Sequence, residues 1–308
     1  MITTDEAVLA SLGVEDEIGR LRQRIDAWVD SADPELREAL RWALAGQPKH
    51  FRPLTVFACR RAMGHRVDER TLGAAFVVEL MHNMTLVVDD VLDGSPERRG
   101  VATLQRRFGT LPALMASGYL VADAFAACAE DSFAVTHLAE LLRRLGAAEC
   151  LQWRLRRQPL GVADWRRIAG EDTGSMFEAC AVLGAGSQRL RRYGHLLGVL
   201  YHGCDDVGDL RGLQALGGGG DEDIADGILT LPAALAIRDP DVRQLFLRDG
   251  QDEGRLDRLA AAYLAQLDEA EAVLDGVADL ARTEAREFAA DPAPLICLVE
   301  QVRQLSGR

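Results

Sequence analysis

Lysine is almost missing from this chain. Of its 35 lysines and arginines only one, Lys49, is a lysine. Aromatic residues make up only 6% while alanine and leucine abound, which favours helix packed on helix over a sheet. No run of alternating β-branched residues with hairpin turns occurs, so a strand-based fold is not expected. None of the six cysteines forms a CxxC pair. Cys59, Cys128, Cys150, Cys180, Cys204 and Cys297 read as reduced, buried thiols of a cytoplasmic protein, which excludes a disulfide scaffold. Positive charge is also short. The net charge of −13 excludes non-specific nucleic-acid or anionic-membrane binding as the main role. An acidic chain that handles anions must gather its cations locally or import them as metal ions. The longest uncharged run, 109–122, is too short and too rich in small residues to span a bilayer. It reads as a buried helix, so no transmembrane segment is expected. The acidic N-terminus has no apolar core, and no signal peptide is expected.

What is present is helical periodicity. The stretch "EDEIGRLRQRIDAWVDSA" puts Ile18, Leu21, Ile25, Trp28 and Val29 on one stripe. "PELREALRWALAG" opens with a proline after Asp33, an N-cap, and closes on Gly46. "GRLDRLAAAYLAQLDEAEAVLDGVADLARTEAREFAA" reads as one long amphipathic stretch. The glycine-rich "GLQALGGGGDEDIADG" reads as a surface loop between helices. With 308 residues and no internal repeat, the expectation is a single all-α domain over 1–308, a bundle of ten or more helices with a sizeable core.

Two aspartate triplets stand out. Asp89, Asp90 and Asp93 form a DDxxD pattern, and Asp205, Asp206 and Asp209 repeat its spacing. At about 100° per residue, the first and last aspartates of a triplet lie about 40° apart on a helix. Like charges so placed repel one another. Their clustering is reasonable if a hard divalent cation sits between them, and Mg²⁺ takes oxygen ligands, keeps waters and is completed by substrate phosphates. Each triplet follows an apolar run, "AAFVVELMHNMTLVV" and "LLGVLYHGC". Acid above an apolar wall describes a pocket for a diphosphate head and a hydrocarbon tail. One such triplet in an acidic protein would be a solvated face; two copies behind apolar helices point to a site. Bases accompany the acids: Lys49 and Arg52 in "GQPKHFRP", Arg98 and Arg99 in "ERRG". A guanidinium fork and a point-charge ammonium both suit diphosphate oxygens. His82 lies two helical turns before Asp89, on nearly the same face.

These residues resemble the trans-isoprenyl diphosphate synthases, the polyprenyl synthetase family that includes farnesyl and geranylgeranyl diphosphate synthases. "PKHFRP" is similar to the family's GKRxRP segment. "ELMHNMTLVVDDVLDGSPERRG" is similar to its first aspartate-rich motif and "EDTGSMFEACAVLGA" to its KTGxLF segment. "YHGCDDVGD" is similar to its second aspartate-rich motif, and "GILTLP" to the GKxTLP segment after that motif. The resemblance implies a helical bundle around a deep central cavity, usually a homodimer. It implies up to three Mg²⁺ ions bridged by diphosphate and held chiefly by Asp89, Asp93 and Asp205. Lys49, Arg52, His82 and Arg99 would grip isopentenyl diphosphate and Arg98 the allylic diphosphate, with Thr173 and His202 in the substrate site. On this reading the acids and bases of 87–100 are not one salt-bridged face. Met84 and Thr85 would floor the tail pocket. Met84 is bulky but flexible, which predicts products of fifteen to twenty carbons.

The chain departs from the family pattern on one side. Asp172 and Ile228 stand where the family has lysines, the lysine of the loop after the second triplet is missing, and Tyr201–His202 replaces a Phe–Gln pair. Arg211 is a candidate substitute cation. Three readings stay open: a working prenyltransferase, a class I terpene synthase-like enzyme that ionises a diphosphate without elongation, and a weakly active or non-catalytic subunit.

Overall fold

The computed structural model describes residues 12–45, 50–98, 100–213, 220–248 and 252–307, with 220–222 and 253 as backbone only. Sixteen α-helices and one two-stranded ribbon account for most of them. The described residues fall into two compact units. Among them the first comprises those within 12–139, 179–189 and 290–295; the second those within 140–178, 190–289 and 296–307.

The first unit begins with α1 (Glu15–Ser31), α2 (Pro34–Leu44), α3 (Phe51–Ala62) and α4 (Glu69–Asp93). The predicted stripe of α1 is buried at Ile18, Leu21, Ile25 and Val29, and Trp28 donates its indole N–H to Asp123 at 2.6 Å. Asp33 caps α2 by accepting from the Glu35 amide at 2.9 Å, with Pro34 at the first helical position. α4 is apolar on almost every side, from Leu72 through Phe76 and Leu80 to Val87, and so lies buried. It packs on α3 and on α6 (Thr110–Ala127), which follows the ribbon β1 (Glu97–Arg98)–β2 (Val101–Ala102) and the short α5 (Leu104–Phe108). α7 (Ser132–Leu155) and α9 (Thr173–Ala185) contribute residues to both units. Gly184 of α9 meets α3 backbone to backbone: a Cβ there would lie 2.3 Å from the Val56 carbonyl oxygen.

One expectation fails here. The 109–122 segment is a helix but not a buried one. Leu111, Leu114 and Met115 are among the exposed large apolar residues. Composition marks a segment as apolar without saying what covers it. By length and composition alone, α6 and α4 are long and apolar enough to cross a membrane.

The second unit is built on α10 (Arg191–Leu210), which packs against α8 (Val162–Glu171) and α15 (Leu267–Phe288). α11 (Gly220–Asp226), α12 (Leu231–Ala236), α13 (Pro240–Leu247) and α14 (Glu253–Leu264) flank it, and α16 (Ala293–Arg303) ends in a short 3₁₀ turn, Gln304–Ser306. The stretch read as one helix near the C-terminus is two, α14 and α15. No glycine or proline stands at the break, and both helices pack on α10 and α12. Of the glycine-rich loop, 214–219 lie outside the described residues, and Gly220–Asp226 is helical. Three cysteines, Cys59, Cys180 and Cys204, are buried as expected, whereas Cys150 is exposed.

Candidate active site

Both triplets occupy the C-terminal end of a helix. Asp89, Asp90 and Asp93 close α4, and Asp205, Asp206 and Asp209 lie in the last turns of α10. Neither helix has a basic residue in its last turn. A helix C-terminus carries the negative end of the macrodipole, so each carboxylate there is unfavourable by about 0.3–1 kcal/mol. Six carboxylates at two such ends call for cations.

Gly94 ends α4 in a left-handed conformation (φ 67°) and its amide bonds the Asp90 carbonyl. The chain then turns into the β1–β2 ribbon, which brings Arg98 back over α4. Arg98 Nε donates to Asp90 Oδ1 at 2.8 Å. Burial raises the Asp90 carboxyl, against the attraction of Arg98. This corrects the reading of 87–100: one salt bridge does join its acids and bases, and it engages Arg98 with Asp90 while both are part of the first motif. Asp89 and His82 share the half-exposed face of α4 with Thr85, as their spacing predicts; Met84 is buried. Arg52 sits in the first turn of α3. Lys49 and Arg99 lie outside the described residues.

Sequence reasoning missed the buried polar group beside this motif. His50 sits before α3 with φ 54° and accepts from Arg22 Nε at 3.2 Å through Nε2. Its proton is therefore on Nδ1, 4.0 Å from the buried Glu79 carboxylate. Burial, with Arg22 beside it, lowers His50 to about 4, so it is neutral at physiological pH. A histidine next to a single lysine carried no signal of that partnership.

In the second unit, Asp206 is fully engaged. Its Oδ2 accepts from Trp165 Nε1 and from the Leu231 amide, both at 2.8 Å. Its Oδ1 faces His202 Nε2 at 3.8 Å. This aspartate ties α10 to α8 and to the start of α12. Asp172 caps the end of α8 and points at His202: Oδ2 is 3.6 Å from Nδ1. Thr173 joins them, donating to Asp172 at 3.1 Å and meeting His202 Nδ1 at 3.0 Å. Arg211 does not replace a missing lysine, because its guanidinium is committed to Glu271 at 2.6 Å and to the Ser306 carbonyl. Ile228 lines a small cavity with Asp206, Asp209, Asp223 and Tyr263. Burial and then Asp206 and Asp209 push Asp223 up to about 8. The larger cavity of the first unit, between Arg24, Arg70 and Val77, contains none of the predicted site residues.

Among the described residues no three acids or imidazoles close on a point as a preformed metal cage. The donor set is nonetheless hard oxygen, one turn apart, at dipole ends that repel it. That fits Mg²⁺, which keeps waters and completes its shell with substrate phosphates. Asp89 and Asp93 in the first unit, and Asp205 in the second, are donors of that kind.

A model of the polyprenyl synthetase family matches residues 33–264. The chain belongs to that family. It is 28% identical over 253 residues to octaprenyl diphosphate synthase of Haemophilus influenzae, covering 78% of this chain and 77% of that one. It is 25% identical to geranylgeranyl pyrophosphate synthase of Geoglobus acetivorans, with 89% and 88% covered. Among solved structures, a polyprenyl synthase of Caulobacter crescentus complexed with calcium and isoprenyl diphosphate superposes with a TM-score of 0.87 at 26% identity, covering 100% of this chain and 99% of the other. Heptaprenyl diphosphate synthase of Staphylococcus aureus has the same fold, with a TM-score of 0.87 at 23% identity, covering 96% and 98%. In this polyprenyl synthetase both aspartate triplets fall within the matched residues. Asp172 and His202, which the sequence singled out separately, face each other across 3.6 Å.

Proposed function

We propose that the protein is a Mg²⁺-dependent prenyltransferase that condenses isopentenyl diphosphate with an allylic prenyl diphosphate to give a longer trans-prenyl diphosphate. The observation that carries this reading is the pair of equal aspartate triplets at two helix C-termini, in a chain whose residues 33–264 match the family. The allylic C–O bond breaks with its electron pair going to the diphosphate. The double bond of isopentenyl diphosphate attacks the resulting cation, and the proton then lost passes to the released diphosphate. Mg²⁺ at Asp89, Asp93 and Asp205 would supply the charge that stabilises the departing diphosphate. Lys49, Arg52, His82 and Arg99 are assigned to isopentenyl diphosphate. Arg98 is assigned to the allylic diphosphate, and Thr173 and His202 to the remaining substrate contacts. Products of fifteen to twenty carbons are assigned from Met84, buried and flexible at the tail-pocket floor, with Thr85 beside it. A homodimer and a cytoplasmic location belong to the same reading.

The test incubates purified protein with Mg²⁺, isopentenyl diphosphate and each of the C5, C10 and C15 allylic diphosphates. A longer prenyl diphosphate is expected, and C30 or longer products would overturn the length assignment. A hydrocarbon or alcohol from one allylic substrate alone would instead mean terpene-synthase chemistry, and binding without turnover a non-catalytic subunit. Asp89→Ala is expected to lower turnover by roughly a thousandfold or more, since several kcal/mol of metal stabilisation is lost. It should leave the fold intact, since it relieves carboxylate repulsion at a helix end. Unchanged turnover would remove the metal assignment.

A further inference from the structure

Charge is spread unevenly along this acidic chain. Residues 153–167 hold five arginines against one acid, Asp164, a surplus of four in a molecule whose net charge is −13. They form the end of α7, the connection 156–161 and the first half of α8, all within the second unit. Arg144 Nε of α7 donates to Glu171 Oε2 at the end of α8, at 2.8 Å, so the two helices run as a hairpin from that pair out to the connection. The five arginines divide into two sets. Arg156 and Arg157 are committed within the protein. Arg156 pairs with Asp226 at 3.0 Å. Arg157 donates through its amide to the Gly227 carbonyl at 2.8 Å and through Nη2 to the Ala225 carbonyl at 2.7 Å. These bonds fix the hairpin tip to the end of α11. Arg154, Arg166 and Arg167 are exposed, and among the described residues none of the three has a hydrogen bond or an ion pair. The single acid does not answer them, since Asp164 accepts from the Gly161 amide at 3.3 Å at the start of α8. Beside Arg154 stands Trp153, 56% exposed and the one exposed tryptophan of the four. The Arg156 guanidinium lies 4.2 Å from its ring centroid.

We propose that the α7–α8 hairpin is a docking surface for an anionic lipid bilayer, with Trp153 seated among the headgroups and Arg154, Arg166 and Arg167 on lipid phosphates. A guanidinium fork matches phosphate oxygens. An indole has an apolar body and a polar N–H and favours the headgroup region. Basic charge and apolar insertion together are the two signals that peripheral attachment needs. Trp153 projects, and a projecting ring suits a partner that yields to it. A fluid bilayer does so, whereas a folded protein would have to carry a matching groove and a nucleic-acid duplex would leave the apolar body of the indole in water. The overall negative charge does not oppose docking at this place. At physiological ionic strength charges are screened beyond about 8 Å, so a surface that meets the hairpin feels its arginines rather than the whole molecule. The proposal concerns attachment and stands apart from the prenyltransferase reading.

The experiment sediments the full chain with vesicles of phosphatidylcholine and phosphatidylglycerol, and with vesicles of phosphatidylcholine alone, at physiological ionic strength. Binding to the mixed vesicles only is expected, with a blue shift of tryptophan emission that is absent in Trp153→Phe. The triple variant Arg154→Gln, Arg166→Gln, Arg167→Gln should bind the mixed vesicles about a hundredfold more weakly, at about fivefold for each basic residue near an anionic surface. Its circular dichroism should match the parent's, since none of the three side chains has a partner in the fold. The inference is overturned if the parent does not sediment with the mixed vesicles, if the triple variant sediments like the parent, or if the emission shift survives in Trp153→Phe. Tighter binding to polyglutamate or to an RNA oligomer than to the mixed vesicles would overturn it too, giving the surface to an acidic protein or a nucleic acid. A triple variant whose mass by light scattering differs from the parent's would give the hairpin to a second copy of the chain and overturn it likewise. Vesicle binding that the triple variant loses, in a protein that elongates no allylic substrate, would leave this inference standing while the prenyltransferase reading falls.

Discussion

At the scale of single residues, Asp206 shows how a motif aspartate acquires a second job. Its carboxylate is the acceptor for two buried donors, the Trp165 indole N–H and the Leu231 amide, in residues with no exposed surface. Removing it leaves both unsatisfied, at about 1–3 kcal/mol for each. Asp206→Ala should therefore lose several kcal/mol in urea denaturation, with Asp206→Asn losing less because one acceptor oxygen remains. The emission of Trp165 should change in Asp206→Ala. Equal stability of Asp206→Ala and the parent would remove the assignment. The sign with pH can be worked out too. His202 has its pKa raised in the fold to about 9, so its pairing with Asp206 and Asp172 is fully stabilising below about 6.5. That stabilisation is lost as the pH rises through about 9, and the loss should be smaller in Asp206→Ala. Such pairings were not legible in the chain. The triplets were, because spacing within one helix fixes which side chains share a face. The partners of Asp172, Arg98 and Arg211 depend on which distant segment folds back onto them, and no local pattern encodes that. Hence Arg211 read as a candidate cation and proved to belong to Glu271.

At the scale of elements, helix α10 carries His202, Asp205, Asp206 and Asp209 together, so its seating decides the geometry of half the motif residues. It sits on the start of α9 through Gly198. A Cβ at that position would fall 2.6 Å from the Gly174 Cα and 2.7 Å from the Thr173 carbonyl oxygen. Both are backbone atoms, so a side chain there must push the helices apart. Gly198→Ala gains helix propensity of about 1 kcal/mol. It should nonetheless be destabilised, because overpacking of this kind costs about 1–3 kcal/mol and the contact is with rigid backbone. The urea midpoint should fall with an unchanged m-value. An alanine tolerated with an unchanged midpoint would show that α10 is not seated there. Helix existence was legible from the periodicity of α1 and the Asp33–Pro34 start of α2. The break between α14 and α15 was not, since no glycine or proline marks it.

At the scale of the whole molecule, the chain carries a net charge of −13, so most of its surface repels a second copy of itself. Among the described residues, helix α6 departs from this. Leu111, Met115, Gly118, Ala122 and Ala126 recur at helical spacing and are exposed, with Leu114 alongside. The one acid of this helix, Asp123, is tied to the Trp28 indole. An apolar stripe free of charge on an acidic protein is where two copies can approach without electrostatic cost. A two-fold pairing lays the same stripe against itself. Small residues towards the C-terminal half let the two helices come close, and Leu111 and Met115 fill the ends. Light scattering coupled to gel filtration should accordingly give the parent twice its chain mass of 33.6 kDa. Leu111→Asp with Met115→Asp should run at the single-chain mass with its helical circular dichroism retained, since both side chains are exposed. A parent that runs as a monomer, or a double variant that still runs as a dimer, would show that this stripe is not the dimer face.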